Sequence, residues 1–250
     1  MSEKKFWDNF YKKHSSQNFE WLIDYRDLVK SLHLFDYDVS QSLPPSFAHL
    51  QTMTFLNLKQ KNKNSNLSFL LDVGCGTSMF SFNLKNSFSF KSILICADFS
   101  LEALDLLRLK QIDAEKQHNK TLEACQDSLP RFTVDFIQCN CKYLPFRKEV
   151  FDLILDKGYL DSLLKSNSAN LIDSTLASMS NILEKLDYSE CIETKRVLLQ
   201  ITDETPDLRI SLFDQFHHKN FRLSYYFKEI ELDNSMLYYA YFVYKDKHKA

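Results

Sequence analysis

The 250-residue chain contains three glycines, and each sits in a short motif. Gly74 and Gly76 lie in Leu71-Asp72-Val73-Gly74-Cys75-Gly76-Thr77, and Gly158 in Leu155-Asp156-Lys157-Gly158. Glycine is ordinarily spread through turns that need positive φ. Here Asn, Asp, Ser and Lys fill those turns, so the retained glycines mark places where a side chain is excluded. A ligand pressing on the backbone is the simplest cause. An apolar segment running into Asp-x-Gly-x-Gly predicts the first strand-to-helix turn of an α/β sheet, a place suited to a nucleotide-like molecule.

The length is enough for one full core, with room for an appendage. A net charge of -2 gives no electrostatic case for nucleic acid or an anionic membrane as partner. No apolar run approaches the roughly 20 residues that span a bilayer. The cysteines at 75, 96, 125, 139, 141 and 191 form no Cys-x-x-Cys and offer no paired set of about four ligands, so no metal is expected. Reduced, intracellular thiols are the default reading. Met1-Ser2-Glu3-Lys4-Lys5-Phe6-Trp7-Asp8 resembles neither an apolar signal core nor an Arg-rich transit peptide.

Residues 6–34 read as one or two amphipathic helices, with Phe6/Phe10 and Trp7/Tyr11 paired at i,i+4. After Pro44-Pro45 a further helix is predicted over 46–58, then a polar loop over 59–66. These features predict an N-terminal helical cap or lid (1–60) and a second domain over 67–250. In the latter, strands are expected at 67–73, 92–97, 132–138, 150–156 and 195–202, alternating with helices at 78–86, 100–113, 169–186 and 206–217. Residues 114–131 read as a polar insertion. Ile172, Leu176, Met179, Leu183 and Leu186 form one apolar helical stripe that belongs to the core. The tail alternates as two strands, 221–230 and 236–244, joined near Asp233-Asn234, and this closing hairpin differs from a plain dinucleotide fold.

Several elements agree with the glycine loop. Met79 occupies the third small position of a dinucleotide fingerprint, which argues against a pyrophosphate held close to the helix. Asp98 ends the apolar strand Ile93-Leu94-Ile95-Cys96-Ala97, where a carboxylate can accept from both ribose hydroxyls; its alternative is to cap the helix opening at Ser100. The third strand ends in Cys139-Asn140-Cys141-Lys142-Tyr143-Leu144-Pro145-Phe146. The fourth delivers Asp156 to the carboxyl edge of the sheet.

These residues, in this order, resemble the class I S-adenosylmethionine-dependent methyltransferases. The resemblance implies a Rossmann-like seven-stranded sheet with helices on both faces, S-adenosyl-L-methionine as cofactor, and an adenine contact at Asn140 and Cys141. Asn140 stands where an acid is usual, and a plain turn residue is its alternative. Asp156-Lys157-Gly158-Tyr159-Leu160-Asp161 is similar to the Asp-Lys-Gly-Thr-Leu-Asp motif of eukaryotic protein-lysine methyltransferases acting on elongation factor 1A and citrate synthase. Phe6-Trp7-Asp8-x-x-Tyr11 and Phe19-Glu20-Trp21 match the N-terminal signature of that group, which implies that Trp7, Tyr11 and Trp21 lie against the cofactor; core aromatics of a cap helix are the alternative.

Leu199-Gln200-Ile201-Thr202-Asp203-Glu204-Thr205-Pro206-Asp207-Leu208-Arg209 resembles the corresponding segment of the citrate synthase branch, as do the glycine loop, the insertion and Tyr238-Tyr239-Ala240-Tyr241. Thr205 and Pro206 alone suit a helix start. The resemblance implies a cofactor set of Trp7, Tyr11, Trp21, Asp72, Gly74, Gly76, Asp98, Asn140, Cys141 and Asp156. It also implies a methyl-transfer lining of Asp156 and Tyr159, and an exposed protein-facing rim of Asp203, Glu204 and Arg209. Tyr159 in place of Thr, Asn140 in place of an acid, and the lack of a Pro-Gly turn before the fifth strand depart from the pattern.

The expectation is a protein-lysine N-methyltransferase acting on citrate synthase, with no catalytic base identifiable. Its alternatives are a lysine methyltransferase for elongation factor 1A and a cofactor-binding scaffold without catalysis. A nicotinamide oxidoreductase is disfavoured by Met79 and the closing hairpin. The resemblance implies a mitochondrial location; the N-terminal residues read alone point to the cytoplasm.

Overall fold

Seven strands form one sheet in the order β3-β2-β1-β4-β5-β7-β6. The computed structural model describes residues 3–15, 20–32, 67–86, 92–122, 132–165, 171–185, 196–214, 221–232 and 235–247. The strands are β1 (Ser68–Val73), β2 (Ser92–Asp98), β3 (Phe132–Gln138), β4 (Leu153–Lys157), β5 (Val197–Thr202), β6 (Phe221–Glu231) and β7 (Leu237–Lys247). The first five run parallel, and β7 enters antiparallel between β5 and β6. The helices are α1 (Glu3–Lys13), α2 (Tyr25–Leu32), α3 (Phe80–Asn86), α4 (Leu101–Leu122), α5 (Tyr159–Leu164), α6 (Leu171–Lys185) and α7 (Pro206–Asp214).

A parallel strand covered on both faces has no solvent side, so it reads as a continuous apolar run. In β5, Val197-Leu198-Leu199-Gln200-Ile201-Thr202 is buried throughout. Alternate residues feed two cores. Leu70, Leu155, Leu199 and Ile201 face one side with Ile23, Leu28 and Phe80. Leu71, Ile154 and Leu198 face the other, with Met179, Ile182 and Leu183 of α6 and Phe213 of α7. Because Ile23 and Leu28 join the first core, the segment around α2 is built into the sheet's cover. Along the hairpin, the register partners Tyr226 and Phe242 stack their rings 4.6 Å apart, the kind of aromatic pair that adds about 0.5–1.5 kcal/mol beyond area burial.

Element order and strand spans follow expectation, with three differences. The helix after β2 continues to Leu122, through half of the predicted polar insertion. Asp113-Ala114-Glu115-Lys116-Gln117 is rich in good helix formers and lacks an apolar stripe, so propensity sustains what hydrophobic periodicity does not reveal. The fourth strand starts at Leu153, with Phe151 in an isolated bridge. A short helix that the periodicity does not predict, α5, follows β4 directly, whereas the N-terminal stretch forms two helices, α1 and α2, as one of its expected forms. The predicted helix over 46–58, the loop over 59–66 and the Asp233-Asn234 turn lie outside the described residues.

Candidate functional site

The carboxyl ends of β1, β2 and β4 meet where the strand order reverses, the position at which open α/β sheets hold ligands. Gly74 and Gly76 follow β1 with φ of +62° and +53°, a left-handed backbone that L side chains rarely adopt. Cys75 N–H donates to Ala97 O at 3.1 Å, tying the loop to β2. Asp98, at the tip of β2, accepts from Gly76 N–H and Ser100 N–H, both at 2.9 Å. It therefore holds the glycine loop and caps the turn into α4, which is the capping alternative weighed from sequence. Burial pushes its carboxyl up to about 6, against the backbone bonds that favour the charged form. Burial also pushes Asp72, within β1, up to about 7.

Side chains of this chain lie over the glycines. A Cβ on Gly76 would stand 2.7 Å from the Tyr11 hydroxyl, and one on Gly74 would stand 2.8 Å from Cβ and Cδ2 of Tyr159. The groups pressing on the glycine backbone are thus two tyrosines, a finding that corrects the attribution of glycine retention to a ligand alone. Tyr11 is buried, and that burial, followed by the nearby Asp98 charge, pushes its hydroxyl far above the usual range. Trp7 stacks on Tyr11 at 5.8 Å and meets Trp21 edge-on at 6.2 Å. The three aromatics expected against the cofactor therefore form one cluster at the glycine loop. Asp8 accepts from Ser100 Oγ at 2.6 Å and Lys12 pairs with Glu102 at 2.9 Å, which seats α1 on the start of α4.

The β4 side is organised differently. Asp156 Oδ1 accepts from Tyr159 N–H at 2.9 Å and Leu160 N–H at 3.3 Å, while Oδ2 accepts from Gln200 Nε2 at 2.7 Å. Asp156 is fully buried, and burial followed by the charge of Asp161 raises its carboxyl to about 6. Expected at the methyl-transfer site, it acts in this structure as the cap that shapes the Gly158-Tyr159 turn. Tyr159 likewise runs from Gly74 to within 3.4 Å of Ser178 Oγ on α6, with its ring against the core.

Arg209 corrects the predicted rim. It is 1% exposed and ion-pairs with Asp161, and its Nη2 also donates to Thr202 Oγ1 at 3.0 Å. A guanidinium facing inward cannot greet a protein substrate. Asp203 is exposed, with both oxygens 2.8 Å from Lys165 Nζ, and Glu204 is half-buried. Asn140 is exposed, and its Oδ1 accepts from Lys142 N–H at 3.0 Å, which is the turn role. Cys141 points its thiol at Ala97 O, 3.5 Å away, inside the core.

Two residues at this edge escaped sequence reasoning as contributors to the site. Lys157 and Glu20 form an ion pair, and Glu20 Oε1 also accepts from Ser78 Oγ at 2.6 Å. Both stand inside quoted motifs, but nothing local reveals a partner 137 positions away. Among the described residues no group of three His, Cys, Asp or Glu is arranged to hold a metal, and no helix is long and apolar enough to cross a membrane.

The residues fit an adenosine-bearing sulfonium. Gly74 and Gly76 give the loop its left-handed turn at the switch point, Asp98 supplies a carboxylate at the β2 tip, and the aromatic cluster can cover a flat base or a cation. A methyltransferase domain model matches residues 71–185. The mitochondrial citrate synthase-lysine N-methyltransferase of Danio rerio is 27% identical over 216 residues, covering 84% of this chain and 70% of that protein. Haemonchus contortus phosphoethanolamine N-methyltransferase 1, solved with phosphoethanolamine and S-adenosylhomocysteine, superposes with TM-score 0.52 at 9% identity over 99% of this chain and 50% of that one, a likeness of fold. TrmN from Thermus thermophilus gives TM-score 0.49 at 17% identity, over 86% and 53% of the two chains. With the strand order, the glycine loop and the domain match in agreement, the chain carries a methyltransferase domain of the class I fold, with S-adenosylmethionine as its cofactor.

Proposed function

We propose that the chain transfers a methyl group to a lysine of a folded protein, with citrate synthase as the favoured substrate and the mitochondrion as the location. The observation that carries this reading is the 27% identity to the Danio rerio enzyme over 84% of the chain, which extends well beyond the matched domain into both flanks. Gly74, Gly76 and Asp98 hold the cofactor, and Trp7, Tyr11 and Trp21 form a lid over it. Bound there, S-adenosylmethionine supplies an electrophilic methyl group on sulfur.

The protein's own tasks are alignment and drying. In-line displacement needs the attacking nitrogen held close to the methyl, and orientation of this kind supplies much of such a rate enhancement. A free lysine, with pKa about 10.4, is almost wholly protonated at neutral pH; an apolar, aromatic-walled site lowers that value and exposes the lone pair. Asp156 serves by fixing the Gly158-Tyr159 turn, and Asp203 and Glu204 line the protein-facing rim. Incubation with methyl-labelled cofactor and either folded citrate synthase or elongation factor 1A tests the reading. Label on a lysine of citrate synthase is expected. Label on elongation factor 1A alone would replace the substrate, and cofactor binding with neither labelled would favour a non-catalytic scaffold.

A further inference from the structure

We propose that Lys157 is a positioning residue for the cofactor lid, holding the strap Glu20-Trp21-Leu22 across the carboxyl edge of the sheet. The inference rests on the lid reading above and names what holds that lid shut. Lys157 ends β4 with its side chain only 4% exposed. A buried ammonium needs acceptors for its hydrogens, and those this one finds belong to the strap: the Glu20 carboxylate and Trp21 O, the latter at 2.6 Å. Away from the strap it meets the face of the Phe80 ring, 5.6 Å from the amine, and the charge of the Asp72 carboxyl on β1, which is not among its hydrogen-bond acceptors. Removing the strap would leave the cation enclosed without its hydrogen-bond acceptors, so docking of the strap and burial of Lys157 are one event.

The same carboxylate spans two strands. Glu20 Oε1 takes the Ser78 hydroxyl after the β1 glycine loop and the Lys157 amine at the end of β4, so it bridges the switch point itself. The next residues are built for this crossing. Leu22 has φ of +64°, a conformation in which a branched apolar residue persists only when its surroundings impose it. Its Cδ1 lies 3.5 Å from where a Gly158 Cβ would be. Trp21 leaves this strap to meet Trp7 and Phe10, and Trp7 stacks on Tyr11 over Gly76. The latch thus sets the aromatic wall of the cofactor site through the strap, without Lys157 touching the reacting atoms.

The chain's two tryptophans, Trp7 and Trp21, both sit on the lid, so intrinsic fluorescence reads it directly. S-adenosylmethionine is titrated calorimetrically into the full chain and into Glu20→Gln, Lys157→Met, Lys157→Arg and Tyr11→Ala, with acrylamide quenching followed in parallel. Glu20→Gln and Lys157→Met are expected to weaken binding about tenfold, a change of about 1.4 kcal/mol. They should also make the tryptophans more quenchable in the bound state, and Lys157→Arg should restore most of both. A folded Glu20→Gln protein with parental affinity and parental quenching, beside a weakened Tyr11→Ala, overturns the latch alone. Parental affinity in Tyr11→Ala overturns the lid reading beneath it. Glu20→Gln keeps the test open should Lys157→Met fail to fold.

Discussion

Asp98 and Asp156 stand at the carboxyl ends of two parallel strands, are both buried, and have carboxyls raised to about 6, yet they do different work. Asp98 binds backbone N–H groups of a glycine loop and a helix start, and so sits where a ligand can share its remaining lone pairs. Asp156 binds the turn into α5 and the amide of Gln200, its register partner on β5, and lies beside the Asp161–Arg209 pair. A carboxylate at a strand tip is therefore open to a ligand or committed to the fold according to what its neighbours leave unsatisfied.

The largest effect is expected on the keystone side. Removing one partner of a buried ion pair strands the other, at about 3–5 kcal/mol. Arg209→Met should therefore shift urea unfolding by that order while Asp203→Ala, on the exposed Lys165 pair, stays within about 1 kcal/mol. Equal shifts would erase the distinction drawn between rim and core. At the glycine loop, Gly76→Val places atoms against the Tyr11 hydroxyl in a left-handed backbone, and cofactor binding should vanish from calorimetric titration.

The pH dependence separates the two ends further. Asp72, Asp98 and Asp156 have folded values of about 7, 6 and 6 against the ordinary 3.8, so between pH 4 and 7 the folded chain binds more protons than the unfolded one. Their contribution to stability is full below pH 4 and is lost as pH rises through 6 to 7. Cofactor affinity should run the opposite way, falling as Asp98 is neutralised below about pH 6. In Asp98→Asn that fall should flatten, which titrations at pH 5.5 and 7.5 would read. At the smallest scale, Asp203→Ala should slow methylation of the protein substrate with cofactor affinity nearly constant, since a rim contact positions substrate only.

How much was legible depends on the range of the interaction. The glycine loop, the parallel strands and the burial of Met179 and Leu183 on α6 are readable because turn chemistry and periodicity are local. Arg209 was misread because a polar strand-to-helix segment looks exposed until Asp161, 48 positions earlier, is folded beneath it. Asn140 takes the turn role that is its alternative in the sequence, and the Cys141 thiol faces the core, which no local pattern reveals. Glu20 and Lys157 lay within readable motifs, but their partnership is a property of the folded edge.

On the function proposed above, the glycine loop and Asp98 bind S-adenosylmethionine. Calorimetric titration of the full chain at pH 7.5 with S-adenosylmethionine and with NAD, repeated on Asp98→Ala, tests it most directly. Loss of a charged hydrogen-bond partner costs about 1.5–3 kcal/mol. Binding of S-adenosylmethionine but not NAD is expected in the parent, with a loss of that order in the folded variant. Binding of NAD by the parent, or unchanged S-adenosylmethionine affinity in Asp98→Ala, would contradict it.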